Sequence, residues 1–197
     1  HVLHEQLMDA MTRYQAIAAA GVMLDIHTGE VIALASVPDF NPNEPATALV
    51  KDTFNRITSG IFEPGSIFKT VTMAGALDSG AVAITDEFDA RYGIRFGRYT
   101  IDDFHGKHRI LALPEVYKYS SNIGTIRVMQ AMGKDNYRAF LSRMKFDERV
   151  QFELPEMRVP TVSDSFSEVG AATASFGHGL SVSPLHMVTA YAAFVNG

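Results

Sequence analysis

The stretch PGSIFK at residues 64–69 constrains the fold most, because it predicts a helix that starts abruptly and then enters a protein core. Its proline and glycine favour the sharp turn at a helix start. The residues that follow are too apolar for a solvated helix, and Ser79-Gly80 is a typical C-terminal stop. Side chains three residues apart share a helix face, so we expect Ser66 and Lys69 to meet.

Burial would change the chemistry of Lys69. A lysine at its reference pKa near 10.4 is no base at neutral pH, and lowering that pKa by ~3 units requires destabilising the charged form by roughly 4 kcal/mol. Burial of the ammonium group in an apolar environment can supply that penalty. The pattern therefore predicts a neutral amine beside the Ser66 hydroxyl, which is how a serine becomes a nucleophile without a histidine.

A second Ser-x-x-Lys shows that spacing alone is weak evidence. A chain of this length contains about one such pair by chance. The second pair, Ser142 and Lys145, follows Tyr137, Phe140 and Leu141 on an ordinary amphipathic helix and leads into the charged residues 147–149. We interpret it as a solvated face, so the first pair needs independent support.

The sequence Ser120-Ser121-Asn122 is the candidate for that support. A short helix opened by Pro114 should end near Tyr119, and a second helix should start at the serines, which are good N-caps. In one interpretation the serines are only that cap. In the other, Ser120 and Asn122 project toward Ser66, where a hydroxyl can pass a proton and an amide can donate and accept hydrogen bonds.

Taken together, these motifs carry a family resemblance. Ser66-x-x-Lys69 followed by Ser120-x-Asn122 resembles the first two of three motifs of the penicillin-binding proteins and serine β-lactamases. Residues 55–70 resemble the nucleophile segment of class B penicillin-binding transpeptidases, and residues 177–187 and 190–197 resemble the helix that follows it. The resemblance runs from about Ala19 to the last residue.

The resemblance implies an α+β fold, part of the penicillin-binding-protein/β-lactamase-like transpeptidase fold. We expect it to be helix-rich with an incomplete antiparallel sheet. The third motif of the family, Lys-Thr-Gly, does not occur in the sequence. We therefore expect residues 1–197 to be one partial transpeptidase domain that lacks the C-terminal strands, and expect the fragment alone to be slow or inactive.

The implied activity is that of a serine D-Ala-D-Ala transpeptidase, which cross-links peptidoglycan stem peptides in septal cell-wall synthesis and is a target of β-lactams. By resemblance, Ser66 attacks the substrate, Lys69 takes its proton, Ser120 passes a proton to the leaving group, and Asn122 holds the substrate amide and orients Lys69. No cofactor or metal is implied. A serine β-lactamase and a non-catalytic penicillin-binding or division scaffold module stay open as alternatives.

Composition limits the partners. The chain has 197 residues, a net charge of -5, 47% hydrophobic residues and no cysteine. Such mild acidity argues against a nucleic-acid partner. His105 and His108 lie in a polar loop with no third ligand in view, so we expect them to face solvent and not to bind a metal. No signal peptide or bilayer-spanning stretch is seen, so we expect any membrane anchor outside this chain. The resemblance implies a protein at the periplasmic face of the inner membrane, with division-machinery proteins as expected partners.

The periodicity of the remaining sequence predicts several local structures. An amphipathic first helix should end around Ala20-Gly21. Residues 22–26 and 31–36 should form a hairpin with Gly29 at a positive φ angle. Residues 85–109 are rich in glycine and aromatic residues and should form loops or short hairpins. Gly133 should end a helix, and Asp135 should cap the next one.

Overall fold

The computed structural model describes residues 1–49, 53–162 and 166–196. They fall into two compact units. The first unit contains His1–Phe62, Arg149–Pro160 and Val182–Gly197, and the second contains Glu63–Glu148 and Thr161–Ser181. The assignment of residues 1–197 to one partial domain stays a prediction.

The chain alternates helices with short strands. The helices are α1 (Val2–Tyr14), α2 (Lys69–Asp78), α3 (Leu113–Lys118), α4 (Asn122–Met132), α5 (Lys134–Arg143), α6 (Glu168–Ser175) and α7 (Pro184–Asn196). The strands are β1 (Ala19–Leu24), β2 (Val31–Val37), β3 (Glu87–Asp89), β4 (Ile94–Phe96), β5 (Tyr99–Ile101), β6 (Ile110–Ala112), β7 (Thr161–Val162) and β8 (Leu180–Ser181). The described residues also form 3-10 turns at Pro45–Leu49 and Gly65–Phe68. Every ladder among the described residues is a two-stranded antiparallel pair.

The first unit is built around the predicted hairpin of β1 and β2. Gly29 lies in the connecting turn with φ 76°, as the sequence predicts. The helix before the hairpin is shorter than predicted, because Gln15 takes a left-handed conformation with φ 52° and ends α1 at Tyr14. Gly21, predicted to end that helix, instead pairs with Ala35 in the hairpin. A small core of Ile57, Met157 and Leu185 packs against partly buried residues of both strands.

The second unit packs helices around α2. A buried hydrogen-bond network joins this helix to its neighbours: the Thr72 hydroxyl donates to the carbonyl of Ser175 at 2.7 Å and lies 2.9 Å from the Tyr137 hydroxyl. Burial raises the pKa of Tyr137 well above its usual value, so the phenol stays neutral. The network satisfies polar groups at the core and fixes the position of α2.

Most of the short hairpins and helix boundaries in the second unit agree with the predictions made from the sequence. Strands β4 and β5 form the predicted hairpin in residues 85–109, with Gly97 at φ 60°, and β3 pairs with β6. Gly133 ends α4 with φ 85°, as predicted. The prediction that Asp135 caps α5 is wrong, because Gly133 occupies the N-cap and Asp135 lies in the first turn. Among the described residues, no helix combines the length and apolar character that crossing a membrane requires.

Candidate active site

Ser66 and Lys69 lie on consecutive elements of the second unit. Ser66 is exposed in the 3-10 turn Gly65–Phe68, and α2 begins at Lys69, whose backbone N–H donates to the Ser66 carbonyl. Residues three apart eclipse each other in a 3-10 turn, so the two side chains leave the chain on the same side. The sequence predicted an α-helical start here, and the structure has the tighter turn instead.

The segment before Ser66 is held by residues 177–179. The Gly65 N–H donates to the carbonyl of Gly177 at 3.0 Å, and the Gly179 N–H donates to Oε1 of Glu63 at 2.8 Å. The other carboxylate oxygen of Glu63 lies 3.4 Å from Nδ1 of His178. Gly177 has φ 82°, and a Cβ atom there would lie 2.1 Å from the Gly65 carbonyl oxygen. The close approach therefore requires glycine.

Lys69 is the buried cation of the site, with 1% of its surface exposed. Burial lowers the pKa of Lys69 to about 8, and the negative charge of Asp103 partly opposes that shift. Its Nζ donates to the Ser120 carbonyl and lies 2.9 Å from Ser120 Oγ. Within the described part of the chain, no hydrogen bond joins Nζ to Ser66 Oγ. The structure thus brings Lys69 and Ser120 into contact, with Ser66 one turn earlier.

The backbone at Ser120 is strained. Ser120 has φ 54°, a left-handed conformation that costs an L-residue roughly 1–2 kcal/mol. Two contacts hold Ser120 there, between the end of α3 and the start of α4. Its N–H donates to the Tyr117 carbonyl at 3.0 Å, and its hydroxyl contacts Lys69 Nζ. This conformation directs the Ser120 hydroxyl to the buried amine.

The structure gives the three residues of Ser120-Ser121-Asn122 different contacts. Ser121 is the N-cap of α4, and its Oγ accepts from the Gly124 N–H at 2.9 Å. Ser120 faces Lys69 instead. The Asn122 amide donates to the Asp102 carbonyl at 3.2 Å, and in the described ranges it makes no hydrogen bond to Lys69. The predicted orienting contact between Asn122 and Lys69 is therefore not seen.

Asp103 is a residue of the site that sequence reasoning did not assign. Its carboxylate accepts from the Ser121 hydroxyl at 2.7 Å and from the Ile123 N–H at 2.9 Å. The negative charge thus lies at the N-terminus of α4, where the helix dipole favours it. In the sequence, the only signal for Asp103 was the acidic pair of residues 102–103 ahead of the Ser120 motif. That pair did not indicate which groups Asp103 would contact.

We expect Asp103→Asn to lower stability and to shift the Lys69 titration. An amide cannot reproduce both charge-assisted hydrogen bonds, so the free energy of unfolding should fall by about 1–3 kcal/mol. Removing the charge also removes the interaction that raises the pKa of Lys69, so that pKa should fall further. Urea unfolding measures the loss of stability, and the pH dependence of covalent labelling of Ser66 measures the shift of the Lys69 titration. Asp102→Asn is the matched control, because the hydrogen bond from Asn122 goes to the Asp102 backbone.

The second Ser-x-x-Lys lies on a solvated face, as predicted. Lys145 is exposed and lies 2.9 Å from Glu148, and that hydrogen bond raises the pKa of Lys145. The Ser142 hydroxyl donates to Asp147. The same spacing therefore yields a charged surface lysine in one place and a buried amine of lowered pKa in the other. No group of three or more metal-ligating side chains occurs in the ranges that the structure describes.

Comparisons with known proteins show the family of this chain. The family model described as penicillin binding protein transpeptidase domain matches residues 19–197. A probable peptidoglycan D,D-transpeptidase FtsI from Caulobacter vibrioides is 33% identical over 195 residues, which are 99% of this chain and 33% of that protein. A probable peptidoglycan D,D-transpeptidase PenA from Neisseria flavescens is 32% identical over 190 residues, covering 95% of this chain and 47% of that protein.

Solved structures give the same result for the fold. A crystal structure described as a peptidoglycan glycosyltransferase from Burkholderia ambifaria matches with a TM-score of 0.86 and 27% identity, over 99% of this chain and 58% of that one. The transpeptidase domain of Burkholderia pseudomallei penicillin-binding protein 3 matches with a TM-score of 0.85 and 25% identity, over 99% of this chain and 55% of that one. The predicted α+β transpeptidase-like fold is confirmed. This chain, which spans 33% to 47% of the length of the two curated relatives named above, belongs to the transpeptidase-domain family of penicillin-binding proteins.

Proposed function

We propose that the protein to which this chain belongs is a serine D,D-transpeptidase that cross-links peptidoglycan stem peptides. The observation that carries the proposal is the buried amine of Lys69, which contacts the Ser120 hydroxyl and follows the exposed Ser66 by one 3-10 turn. An amine with a pKa of about 8 is partly neutral at physiological pH, so it can take a proton from a serine. The relatives named as D,D-transpeptidases support the same reaction.

The reaction is a two-step acyl transfer. Ser66 Oγ attacks the carbonyl of the penultimate D-alanine while Lys69 accepts the hydroxyl proton. The peptide bond then breaks, and the terminal D-alanine leaves as an amine after receiving a proton through Ser120. The amine of a second stem peptide attacks the resulting ester, loses its proton to the same relay and releases Ser66. Each cycle forms one peptide bond and breaks one, so no external energy source is needed.

Two further groups would bind the substrate. The Asn122 amide carries both a donor and an acceptor, which suits the amide of the peptide backbone. The Ser66 N–H, at the start of a helical segment, is suited to stabilise the developing oxyanion. β-Lactams would acylate Ser66 as substrate mimics and stay attached as the stable ester.

The cellular setting is part of the proposal. Relatives named FtsI and PenA favour the class B enzymes that act in septal wall synthesis. We propose that the protein acts at the periplasmic face of the inner membrane, with division-machinery proteins as partners.

Covalent labelling with a fluorescent penicillin tests the proposal. Applied to the full-length protein and followed by denaturing electrophoresis, it should label the parent and the Ser142→Ala control equally and leave Ser66→Ala unlabelled. Ser142 is the matched control because it begins the other Ser-x-x-Lys. Label retained by Ser66→Ala would contradict the assigned nucleophile, no label on the parent would favour a non-catalytic module, and steady hydrolysis of nitrocefin would favour a β-lactamase.

A further inference from the structure

One hydrogen bond between side chains joins the helix of Lys69 to the helix that leads into Ser120. The hydroxyl oxygens of Thr70 and Tyr117 lie 2.9 Å apart, so one hydroxyl donates to the other. Thr70 follows Lys69 in α2, and Tyr117 lies in the last turn of α3. The two residues are 47 positions apart in the sequence, so only the tertiary fold brings them together.

The same tyrosine also holds Ser120. The Tyr117 carbonyl accepts a hydrogen bond from the Ser120 N–H at 3.0 Å. Ser120 in turn contacts Lys69, with 2.9 Å between its Oγ and the lysine Nζ. The contacts therefore form a closed ring, which runs through Lys69, Thr70, Tyr117 and Ser120 and back to Lys69. One peptide bond, the bond between the two hydroxyls, one backbone turn and the hydrogen bond to the amine make up this ring.

The ring of contacts matters because Ser120 belongs to no helix. It lies between α3 and α4 in a left-handed conformation with φ 54°, and such a conformation persists only where surrounding contacts maintain it. Lys69 is fixed on the other side, buried at the start of α2. A contact between α2 and the end of α3 therefore sets how closely the Ser120 hydroxyl approaches the amine.

We propose that Thr70 and Tyr117 are positioning residues for the acyl transfer, and that the hydrogen bond between them holds Ser120 against the amine of Lys69. This inference rests on the proposed function and adds two residues to it. Neither hydroxyl takes part in the chemistry. Tyr117 is half-exposed, so water competes for its hydroxyl, and the contribution is that of one hydrogen bond between neutral groups.

Tyr117→Phe in the full-length protein tests the proposal, because it removes the hydroxyl and keeps the aromatic group. We expect the second-order rate constant for acylation of Ser66 by penicillin to fall about 2- to 10-fold, the factor that corresponds to one such hydrogen bond. The pH limb of that rate constant should move to lower pH, because an amine that loses the Ser120 oxygens as acceptors holds its proton less firmly. Tyr92→Phe is the matched control and should keep the rate and the limb, because Tyr92 is an exposed tyrosine of the same unit outside the ring of contacts.

Substitutions at Thr70 test the contact itself. Thr70→Val removes the partner hydroxyl and should reproduce the effect of Tyr117→Phe, whereas Thr70→Ser keeps a hydroxyl and should keep the parent rate and pH limb. In Thr70→Val/Tyr117→Phe the two effects should not add, because both single changes break the same hydrogen bond. Urea unfolding establishes that each variant is folded under the labelling conditions.

The outcomes separate this inference from the proposed function. A Tyr117→Phe protein that labels at the parent rate with the parent pH limb would overturn it. A rate loss with an unshifted limb, or losses that add in the double variant, would also overturn it by giving the two hydroxyls separate structural roles. In each of these cases, labelling of the parent at Ser66 would leave the transpeptidase proposal standing. A parent protein that penicillin does not label, or whose label survives Ser66→Ala, would overturn the proposed function and this inference with it.

Discussion

Lys69→Met is expected to slow acylation of Ser66 by penicillin about 10²- to 10⁴-fold, the usual contribution of a positioned general base. Methionine keeps the length and the buried surface of the lysine stem but has no group that can accept a proton. The effect should appear in the second-order rate constant of labelling, measured by quenching the reaction at successive times.

The pH dependence of the same rate constant identifies the amine. Burial lowers the pKa of Lys69 to about 8, so the neutral fraction, and with it the parent rate, should rise about tenfold per pH unit below that value and level off above it. Lys69→Met should lose this limb. Lys145→Met is the matched control and should keep both the rate and the pH profile, because Lys145 is an exposed partner of Glu148. A Lys69→Met profile that retained the parent limb would exclude Lys69 as the base.

The lowered pKa also has a consequence for stability. Between pH 8 and 10.5 the unfolded chain keeps a proton on Lys69 that the folded protein has lost, so the free energy of unfolding should rise with pH over that window. Across that window, the free energy of unfolding of the parent should rise by about 2–3 kcal/mol relative to that of Lys69→Met. Below pH 8 both states of the parent are protonated at this position, and the difference should be flat. Urea unfolding at a series of pH values measures it.

Gly177→Ala is expected to lower the free energy of unfolding by about 3 kcal/mol, from the strain of a positive φ angle together with the displacement of packed backbone. The added Cβ would lie 2.1 Å from the Gly65 carbonyl oxygen, and backbone on both sides would have to move. The hydrogen bond from Gly65 to Gly177 holds the segment that leads into Ser66. Acylation of Ser66 should therefore slow as well, even at temperatures where the variant is folded.

Gly80→Ala separates the two causes. Gly80 has a similar φ angle of 68°, but a Cβ atom there meets nothing within 4 Å. This control should lose only about 1–2 kcal/mol of stability from backbone strain and should label at the parent rate. Equal stability losses for the two variants would show that the close contact between residues 65 and 177 does not add to the destabilisation. An unchanged labelling rate in Gly177→Ala would show that this contact does not position Ser66.

The sequence predicted the local elements of the site well, because their signals are short-range. Pro64-Gly65 and Ser79-Gly80 marked the ends of the segment that contains Ser66 and α2, and Pro114 and Ser121 marked α3 and the start of α4. These are capping and turn preferences, which depend on backbone geometry within a few residues. Where a long-range contact competed, local reasoning failed: Ala20 and Gly21 were predicted to end the first helix, but they pair with β2.

By itself, the sequence determined that a serine and a lysine share one turn, that a second serine caps a helix, and that the chain carries the motifs of a penicillin-binding transpeptidase. Only the tertiary structure decided that Ser120 contacts the Lys69 amine from 51 positions away, and that Asp103 holds the start of α4. The physical reason is that desolvation and long-range hydrogen bonds depend on what surrounds a group in space, whereas caps and turns depend on what precedes it in the chain.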